Sequence, residues 1–169
     1  MYGNEARAAV IARTAAFIGL ITIGGWISIP FVPVPLTLQT LFILLAGGLL
    51  RRYAVIPAAA YIFLGAVNLP VFHSGTAGIG VLLGPTGGYL IGFVPAALIA
   101  GLCYESSRGA IQLLGLAGAT AAIYACGAAW LILSTGMPFW SAIIFGVLPF
   151  LPGDLLKASV AHGITGRFR

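Results

Sequence analysis

Long uninterrupted stretches of apolar residues dominate this chain. No Asp, Glu, Lys or Arg occurs in residues 14–50, 53–104 or 109–153. A helix that crosses a bilayer needs about 20 residues, so each of the first two stretches can hold two crossings and a turn, and the third can hold one crossing and a long loop. The apolar residues follow one another instead of alternating with polar ones, which favours transmembrane helices over the strands of a β-barrel.

Proline, glycine and polar clusters divide these stretches into six predicted helices. Proline ends or opens a helix, and glycine-rich segments favour turns. The predicted helices cover 8–29, 36–50, 53–67, 85–103, 113–133 and 153–166, with a polar loop at 68–83. Residues 139–148 are too few for a crossing, so they predict a half-helix or lip at the membrane edge before the sixth helix.

The composition excludes a soluble protein. Of the 169 residues, 60% are hydrophobic and only 7% are charged, and the mean hydropathy is +1.10. Soluble domains carry about 25% charged residues, and this chain lacks the polar side chains that a soluble surface needs. We therefore expect one all-α integral membrane domain over residues 1–169, with no room for a second, catalytic domain.

The positions of the arginines predict the orientation in the membrane. Arginine occurs at both termini and in the turns after the second and fourth predicted helices, and neither Lys nor Arg occurs in the other three loops. Because cytoplasmic loops are enriched in Lys and Arg, six crossings with both termini in the cytoplasm satisfy every loop. The net charge of +5 is thus a signal of topology, and it gives no reason to expect nucleic-acid binding.

Enzyme, metal and channel chemistry find little support in the sequence. The only acids are Glu5, Glu105 and Asp154, and Cys103 and Cys126 have no metal-binding spacing. We expect no catalytic residues, no metal and no cofactor, and we interpret the cysteines as packing residues. A channel would need polar groups across the whole bundle, whereas here they gather on one side.

One pair of charges is not explained by topology. Asp154 and Lys157 lie three positions apart near the start of the sixth predicted helix, far in sequence from other charges. Ionisable residues within a membrane are costly and usually face a cavity or a partner. The alternative is that the two only neutralise each other close to water. We favour a binding site, because a Pro-Gly break at a helix start also leaves backbone N–H donors free for a ligand.

Three further polar clusters lie on the predicted external side: Thr37 with Gln39, Asn68 with Ser74, and Thr86 with Tyr89. Polar groups that converge at one mouth of an apolar bundle are typical of a small-molecule pocket. The neighbouring glycines at 84, 88 and 92 have a second interpretation, close helix packing in lipid, which is the safer one when they are taken alone.

Four motifs resemble the BioY family, the biotin-specific S components of energy-coupling-factor (ECF) transporters. They are Val34-Pro-Leu-Thr-Leu-Gln-Thr-Leu, Leu69-Pro-Val-Phe, Leu82-Leu-Gly-Pro-Thr-Gly-Gly-Tyr-Leu-Ile-Gly-Phe and Pro149-Phe-Leu-Pro-Gly-Asp-Leu-Leu-Lys157. The resemblance covers about residues 8–166. It implies a six-helix S component in a prokaryotic plasma membrane, with biotin bound on the external side.

The resemblance also suggests roles for the polar residues. Asp154 would accept a hydrogen bond from a ureido N–H of biotin, and Lys157 would donate either to the ureido carbonyl or to the tail carboxylate, an alternative that stays open. The expected pocket lining comprises Thr86, Tyr89 and Gln39, with Asn68 and Ser74 reaching in from the loop and Phe72 and Phe93 forming an apolar wall. The alternative ligand is another small vitamin of the riboflavin or thiamine class.

Transport would require partners besides the lipid bilayer. The chain has no phosphate-binding Gly-x-x-x-x-Gly-Lys-Ser/Thr motif, and the resemblance implies a transmembrane coupling protein and two ATPase subunits. Ala8, Ala12 and Ala16 recur every four residues on the first helix, a spacing that permits close helix approach in lipid. Spacing alone fits internal packing equally well, and the family resemblance favours partner docking.

Overall fold

The computed structural model describes residues 2–168, with side chains described for 7–168. Arg169 and the side chain of Glu5, both part of the charge pattern, lie outside the described part. The α-helices are α1 (Tyr2–Trp26), α2 (Gln39–Leu50), α3 (Val55–Ala66), α4 (Ile79–Leu83), α5 (Gly87–Cys103), α6 (Gly109–Thr135), α7 (Phe139–Gly146) and α8 (Leu151–Arg167). Short 3-10 turns occupy Arg51–Ala54, His73–Gly75 and Leu148–Phe150.

Each of the six predicted helices corresponds to a helix of 12 or more residues in the described chain, namely α1, α2, α3, α5, α6 and α8. Two bounds were wrong for one reason. Ser28–Ile29 forms a strand, β1, that pairs antiparallel with β2 (Leu36–Thr37), so α1 ends before the predicted residue 29 and α2 begins after the predicted residue 36. The short helix α7 lies within the predicted half-helix, whereas α4 forms in a segment predicted as loop.

Four stretches of the described chain are long and apolar enough to cross a membrane: Arg7–Trp26, Gln39–Ala66, Gly109–Thr135 and Phe139–Arg167. The second stretch contains α2 and α3. The Gln39 side-chain amide at the start of α2 donates a hydrogen bond to the Tyr61 hydroxyl of α3, which a continuous helix would hold about 33 Å away. α3 therefore folds back along α2, and each of these helices is only about 18 Å long.

Helix α5 lies at the centre of the fold, where it packs against α2, α3 and, most extensively, α6. Glycine makes this close approach possible. A Cβ added at Gly88 would collide with the Trp130 side chain and the Cys126 carbonyl of α6, and one added at Gly92 would lie 3.1 Å from Ile123 Cα. The packing interpretation of the Gly84, Gly88 and Gly92 spacing is therefore confirmed for Gly88 and Gly92.

We predict that Gly88→Ala lowers the melting temperature of the purified protein in detergent. The added methyl meets backbone, which cannot rotate away, so α5 and α6 must separate at a cost of about 1–3 kcal/mol. Gly163→Ala on α8 is the matched control, because nothing lies within 4 Å of its added Cβ. Equal melting temperatures for the two variants would show that the α5–α6 contact tolerates separation.

Candidate functional site

A cavity opens between the first turns of α2, α5 and α8 and the middle of α6. Its lining combines an apolar wall with polar groups, and it consists of Val34, Pro35, Thr37, Gln39, Thr40, His73, Thr86, Tyr89, Leu90, Phe93, Ile123, Tyr124, Phe150, Asp154 and Lys157. The structure thus brings together five of the seven residues predicted to bind ligand. They come from α2, α5, α8 and the residue that precedes α5, so the cavity exists only in the folded bundle.

Asp154 is the anionic centre of this cavity and is only 3% exposed. It lies in the first turn of α8, where the positive end of the helix dipole stabilises a carboxylate. Its Oδ1 accepts hydrogen bonds from Lys157 Nζ at 2.8 Å and Thr40 Oγ1 at 2.9 Å, and its Oδ2 accepts one from the Tyr124 hydroxyl at 2.6 Å. A carboxylate can accept about four such bonds, so Oδ2 retains acceptor capacity for a ligand.

Lys157 is the cationic centre, with 13% of its side chain exposed. Its ammonium donates to the Thr37 carbonyl at 2.6 Å, to Thr40 Oγ1 at 3.1 Å and to Asp154 Oδ1 at 2.8 Å. These bonds use all three N–H donors. A ligand oxygen can therefore reach Lys157 only by exchange for one of the present acceptors.

The environment of this ion pair differs from that of a pair at a water interface. Asp154 and Lys157 are covered by neighbouring helices, and among the described residues no buried side-chain nitrogen or oxygen lacks a hydrogen-bond partner. Two charges moved out of water are stabilised only by good geometry and additional hydrogen bonds. Thr40 and Tyr124 supply those bonds, so the pair is held in a fixed position facing the cavity.

Tyr89 and Gln39 line the cavity as predicted and are held rigidly. The Tyr89 hydroxyl donates to the Gly146 carbonyl at 2.8 Å. A Cβ added at Gly127 would collide with the Tyr89 ring, and one added at Gly146 would collide with the Tyr89 hydroxyl. Gln39 is 3% exposed; its carbonyl accepts from Thr37 Oγ1 at 3.0 Å while its amide donates to Tyr61. Both side chains therefore present a fixed surface to the cavity.

Thr86 also lines the cavity, and its hydroxyl lies 3.4 Å from His73 Nε2. Burial lowers the pKa of His73, which lies in the loop between α3 and α4. Its imidazole is consequently neutral at pH 7, and it can exchange a hydrogen bond with Thr86 without adding a charge at the mouth of the cavity.

Asn68 and Ser74 are not among the lining residues. Asn68 follows α3 with φ of 68°, and the next N–H, that of Leu69, donates to the Leu64 carbonyl at 3.1 Å, which makes Asn68 part of the helix end. Ser74 Oγ lies 2.8 Å from Ser28 Oγ, and both loop side chains are exposed. Their predicted contact with a ligand has no counterpart in this geometry and stays a prediction.

One of the two residues predicted to form an apolar wall lines the cavity. Phe93 lines the cavity, whereas Phe72 is fully buried behind it, where its ring lies against Gly65 so closely that no Cβ would fit there. Phe150 takes the place expected of Phe72 at the cavity, with its ring centroid 6.3 Å from that of Tyr89.

Three important residues were missed by sequence reasoning: Thr40, Tyr124 and Phe150. Thr40 directly follows Gln39, and its hydroxyl bonds to both members of the ion pair. Tyr124 interrupts the apolar middle of α6, and a tyrosine within a membrane helix needs a hydrogen-bond partner. That requirement was the available signal, but the partner, 30 positions away in sequence, becomes evident only from the fold.

We predict that Lys157→Met destabilises the purified protein by about 3–5 kcal/mol, because it leaves the Asp154 carboxylate buried without a cation. Unfolding by SDS in mixed micelles measures the loss. The double variant Asp154→Asn, Lys157→Met is expected to lose less, since it removes the unpaired charge.

The matched control is Arg52→Met, which breaks the exposed Arg52–Glu105 pair, where 60% of the arginine side chain is exposed. It is expected to unfold at nearly the wild-type SDS fraction. A Lys157→Met protein as stable as the control would contradict a buried, mutually dependent pair.

Comparisons with known proteins identify the family and agree with the fold. A crystal structure of the S component for biotin from an ECF-type ABC transporter superposes with a TM-score of 0.88 at 31% identity, covering 98% of this chain and 93% of that one. The probable biotin transporter BioY of Pyrococcus horikoshii is 40% identical over 164 residues, 96% of this chain and 98% of the relative. The biotin transporter BioY of Thermotoga maritima is 40% identical over 162 residues, 94% of this chain and 95% of the relative. A family model described as the BioY family matches residues 2–169, and this chain therefore belongs to the BioY family.

Proposed function

We propose that this chain is the membrane-embedded biotin-binding S component of an ECF transporter and mediates biotin uptake. The observation that carries the proposal is the buried Asp154–Lys157 pair, which faces a largely apolar cavity. Support comes from membership of a family whose relatives are named biotin transporters. The alternative, an S component for riboflavin or thiamine, has no observation in its favour.

Biotin matches the cavity group by group. Its ureido ring carries N–H donors and a carbonyl acceptor, its fused rings are largely apolar, and its tail ends in a carboxylate. Oδ2 of Asp154 accepts a ureido N–H beside the Tyr124 hydroxyl, and Lys157 gives up its bond to the Thr37 carbonyl to donate to a biotin oxygen. Whether this oxygen belongs to the ureido carbonyl or to the tail carboxylate is decided by the orientation of the ligand.

The apolar part of the ligand lies against aromatic and aliphatic side chains. Phe93, Phe150, Leu90 and Ile123 are each less than 10% exposed and line the same cavity as the ion pair. A bicycle buried there loses its contact with water, which stabilises binding by about 25 cal/mol per Å² of apolar surface. The polar groups then provide specificity among apolar ligands of similar shape.

The proposal includes six crossings with both termini in the cytoplasm. The crossings are α1, α2, α3, α5, α6 and α8. The short helices α4 and α7 lie at the external face of the membrane. Arg51 and Arg52 lie in the α2–α3 turn and Arg108 lies in the α5–α6 turn, as the positive-inside rule requires for cytoplasmic turns.

We predict that Asp154→Asn and Lys157→Met each weaken biotin binding by about tenfold or more, because hydrogen bonds to charged groups contribute about 1.5–3 kcal/mol. Isothermal titration calorimetry on purified protein measures the dissociation constant. Glu105→Gln makes the same carboxylate-to-amide change at an exposed ion pair and is expected to bind like the wild type.

Unchanged affinity in both site variants would remove the assignment of Asp154 and Lys157. Competition of labelled biotin with riboflavin and thiamine tests the ligand itself. Displacement by either vitamin at concentrations comparable with those of biotin would overturn biotin specificity while leaving the site in place.

Helix α1 is the proposed docking face for the coupling protein, which in turn contacts the two ATPase subunits. Ala8, Ala12 and Ala16 are exposed, and a Cβ added at Gly19 would meet nothing within 4 Å. Internal packing, the alternative that spacing left open, would have buried the alanines. Their exposure supports a partner helix at this stripe, where small side chains permit close backbone approach.

We predict that Ala12→Trp blocks assembly with the coupling protein and the ATPases while biotin binding stays within about twofold of wild type, since the indole projects outward from the bundle. Co-purification of the co-expressed subunits measures assembly. Ala125→Trp, at an exposed alanine of α6, introduces the same side chain elsewhere and is expected to assemble normally. Normal assembly of Ala12→Trp would place docking on another surface.

A further inference from the structure

A second polar cavity lies at the other end of α2, about 15 Å along the helix from Gln39 and Thr40. Its volume is about 820 Å³, and it is formed by α1, the end of α2, the α2–α3 turn and Glu105. Three arginines line it, Arg13, Arg51 and Arg52. Nothing in biotin recognition uses these residues.

The charges in this cavity do not balance. Arg52 forms a two-point ion pair with Glu105, with Nε–Oε1 and Nη2–Oε2 distances of 2.6 Å. This hydrogen bonding, reinforced by the charge of Arg51, lowers the pKa of Glu105, so Glu105 is ionised at pH 7. Neither Arg13 nor Arg51 makes a side-chain hydrogen bond or ion pair within residues 7–168, which leaves two positive charges in excess.

The backbone of Arg51 is held in an uncommon conformation. Its φ is 55° and its ψ is −138°, a combination that L-residues with side chains rarely adopt. The Arg51 carbonyl packs against Gly101 of α5 so closely that a Cβ on Gly101 would collide with it. Such strain persists only where the surrounding structure maintains it, and it concentrates at ligand sites. The backbone of Arg51 is thus fixed at the cavity edge, where the residue is exposed.

Apolar side chains complete the cavity. Val10 of α1 and Ile56 of α3 are 53% and 45% exposed, and Tyr53 in the turn is 64% exposed. An amphipathic ring beside arginines at the end of apolar helices is typical of the membrane–water interface. The cavity therefore offers positive charge at its polar end and exposed hydrocarbon contacts beside it.

We propose that this cavity binds an anionic phospholipid, with the headgroup phosphate at Arg13 and Arg51 and the acyl chains along Val10 and Ile56. Guanidinium groups bind phosphate oxygens in a two-point geometry, and basic pockets between membrane helices bind anionic headgroups. A zwitterionic choline lipid brings a cation to an already positive site. An acidic segment of a partner protein would satisfy the arginines but would leave the apolar side chains beside them without a hydrocarbon partner.

The test compares lipid retention by purified protein in native mass spectrometry, with phosphatidylglycerol or phosphatidylcholine of identical acyl chains added to the detergent. The test variant is Arg13→Gln, Arg51→Gln. The matched control is Arg108→Gln, Arg167→Gln, which removes the same charge from outside the cavity. A charge-conserving variant, Arg13→Lys, Arg51→Lys, completes the set.

Wild type and control are expected to retain phosphatidylglycerol in preference to phosphatidylcholine, and the test variant is expected to lose this preference by about tenfold or more. The lysine variant is expected to keep part of the preference, because it keeps the charge but not the two-point geometry of guanidinium. If the test double variant does not fold, as judged by its melting temperature, Arg13→Gln alone is compared with Arg108→Gln, with an expected loss of about threefold. A test variant that behaves like its control overturns the proposal.

Two further outcomes also overturn it. Displacement of phosphatidylglycerol by an equimolar amount of inorganic phosphate would show that the site binds free phosphate instead of lipid. Normal lipid retention combined with loss of coupling-protein assembly in the test variant would assign the arginines to an acidic partner.

Discussion

The ion pair between Asp154 and Lys157 places a carboxylate and an ammonium inside an apolar bundle. Removing these charges from water costs free energy, and the surrounding helices supply the groups that offset it. Without Thr40, Tyr124 and the Thr37 carbonyl, the pair would lack the hydrogen bonds that offset its removal from water. These groups come from α2, α6 and strand β2, so three separate parts of the chain must be in register before the charges are tolerable. The cavity is the space that remains beside them.

That register depends on close packing at the centre of the bundle. Glycines at 88 and 92 let α5 approach α6, Gly101 lets α5 approach the α2–α3 turn, and the glycines at 127 and 146 form the slot that holds Tyr89. At each of these positions glycine has no side chain, so the neighbouring group can come close to its backbone. Helices associate in lipid through such close packing, because the hydrophobic effect offers little help there. The same small residues therefore set both the stability of the bundle and the shape of the site.

Sequence reasoning succeeded where a feature is visible at short range. Uncharged stretches and prolines predicted the main helices. The cost of isolated charges in an apolar chain indicated that Asp154 and Lys157 face a cavity, which they do, while their contact with a ligand stays a prediction. It failed where meaning depends on the fold. Strands of two residues have no periodicity to detect. The predicted ligand contact of Asn68, which follows α3 with a φ of 68°, stays a prediction.

Position in space also resolved what spacing could not. Alanines four apart have the same pattern whether they face a partner or the interior. Their exposure excludes the interior, and docking of a partner stays a proposal. Tyr124 and Thr40 likewise have no local signature of a role beside Asp154, because their partner lies on another helix. Such pairings are properties of the assembled bundle.

The bond from Lys157 to the Thr37 carbonyl joins more than two residues. Thr37 belongs to β2, which pairs with Ser28 of β1 directly after α1, and the neighbouring Leu38 N–H donates to the Gly24 carbonyl of α1 at 2.9 Å. A ligand oxygen that replaced the Thr37 carbonyl at the Lys157 ammonium would leave this carbonyl without its donor, in the small sheet that follows α1. Under the proposed binding mode, occupancy of the cavity therefore acts on residues bonded to the end of the helix whose outer face carries the alanines.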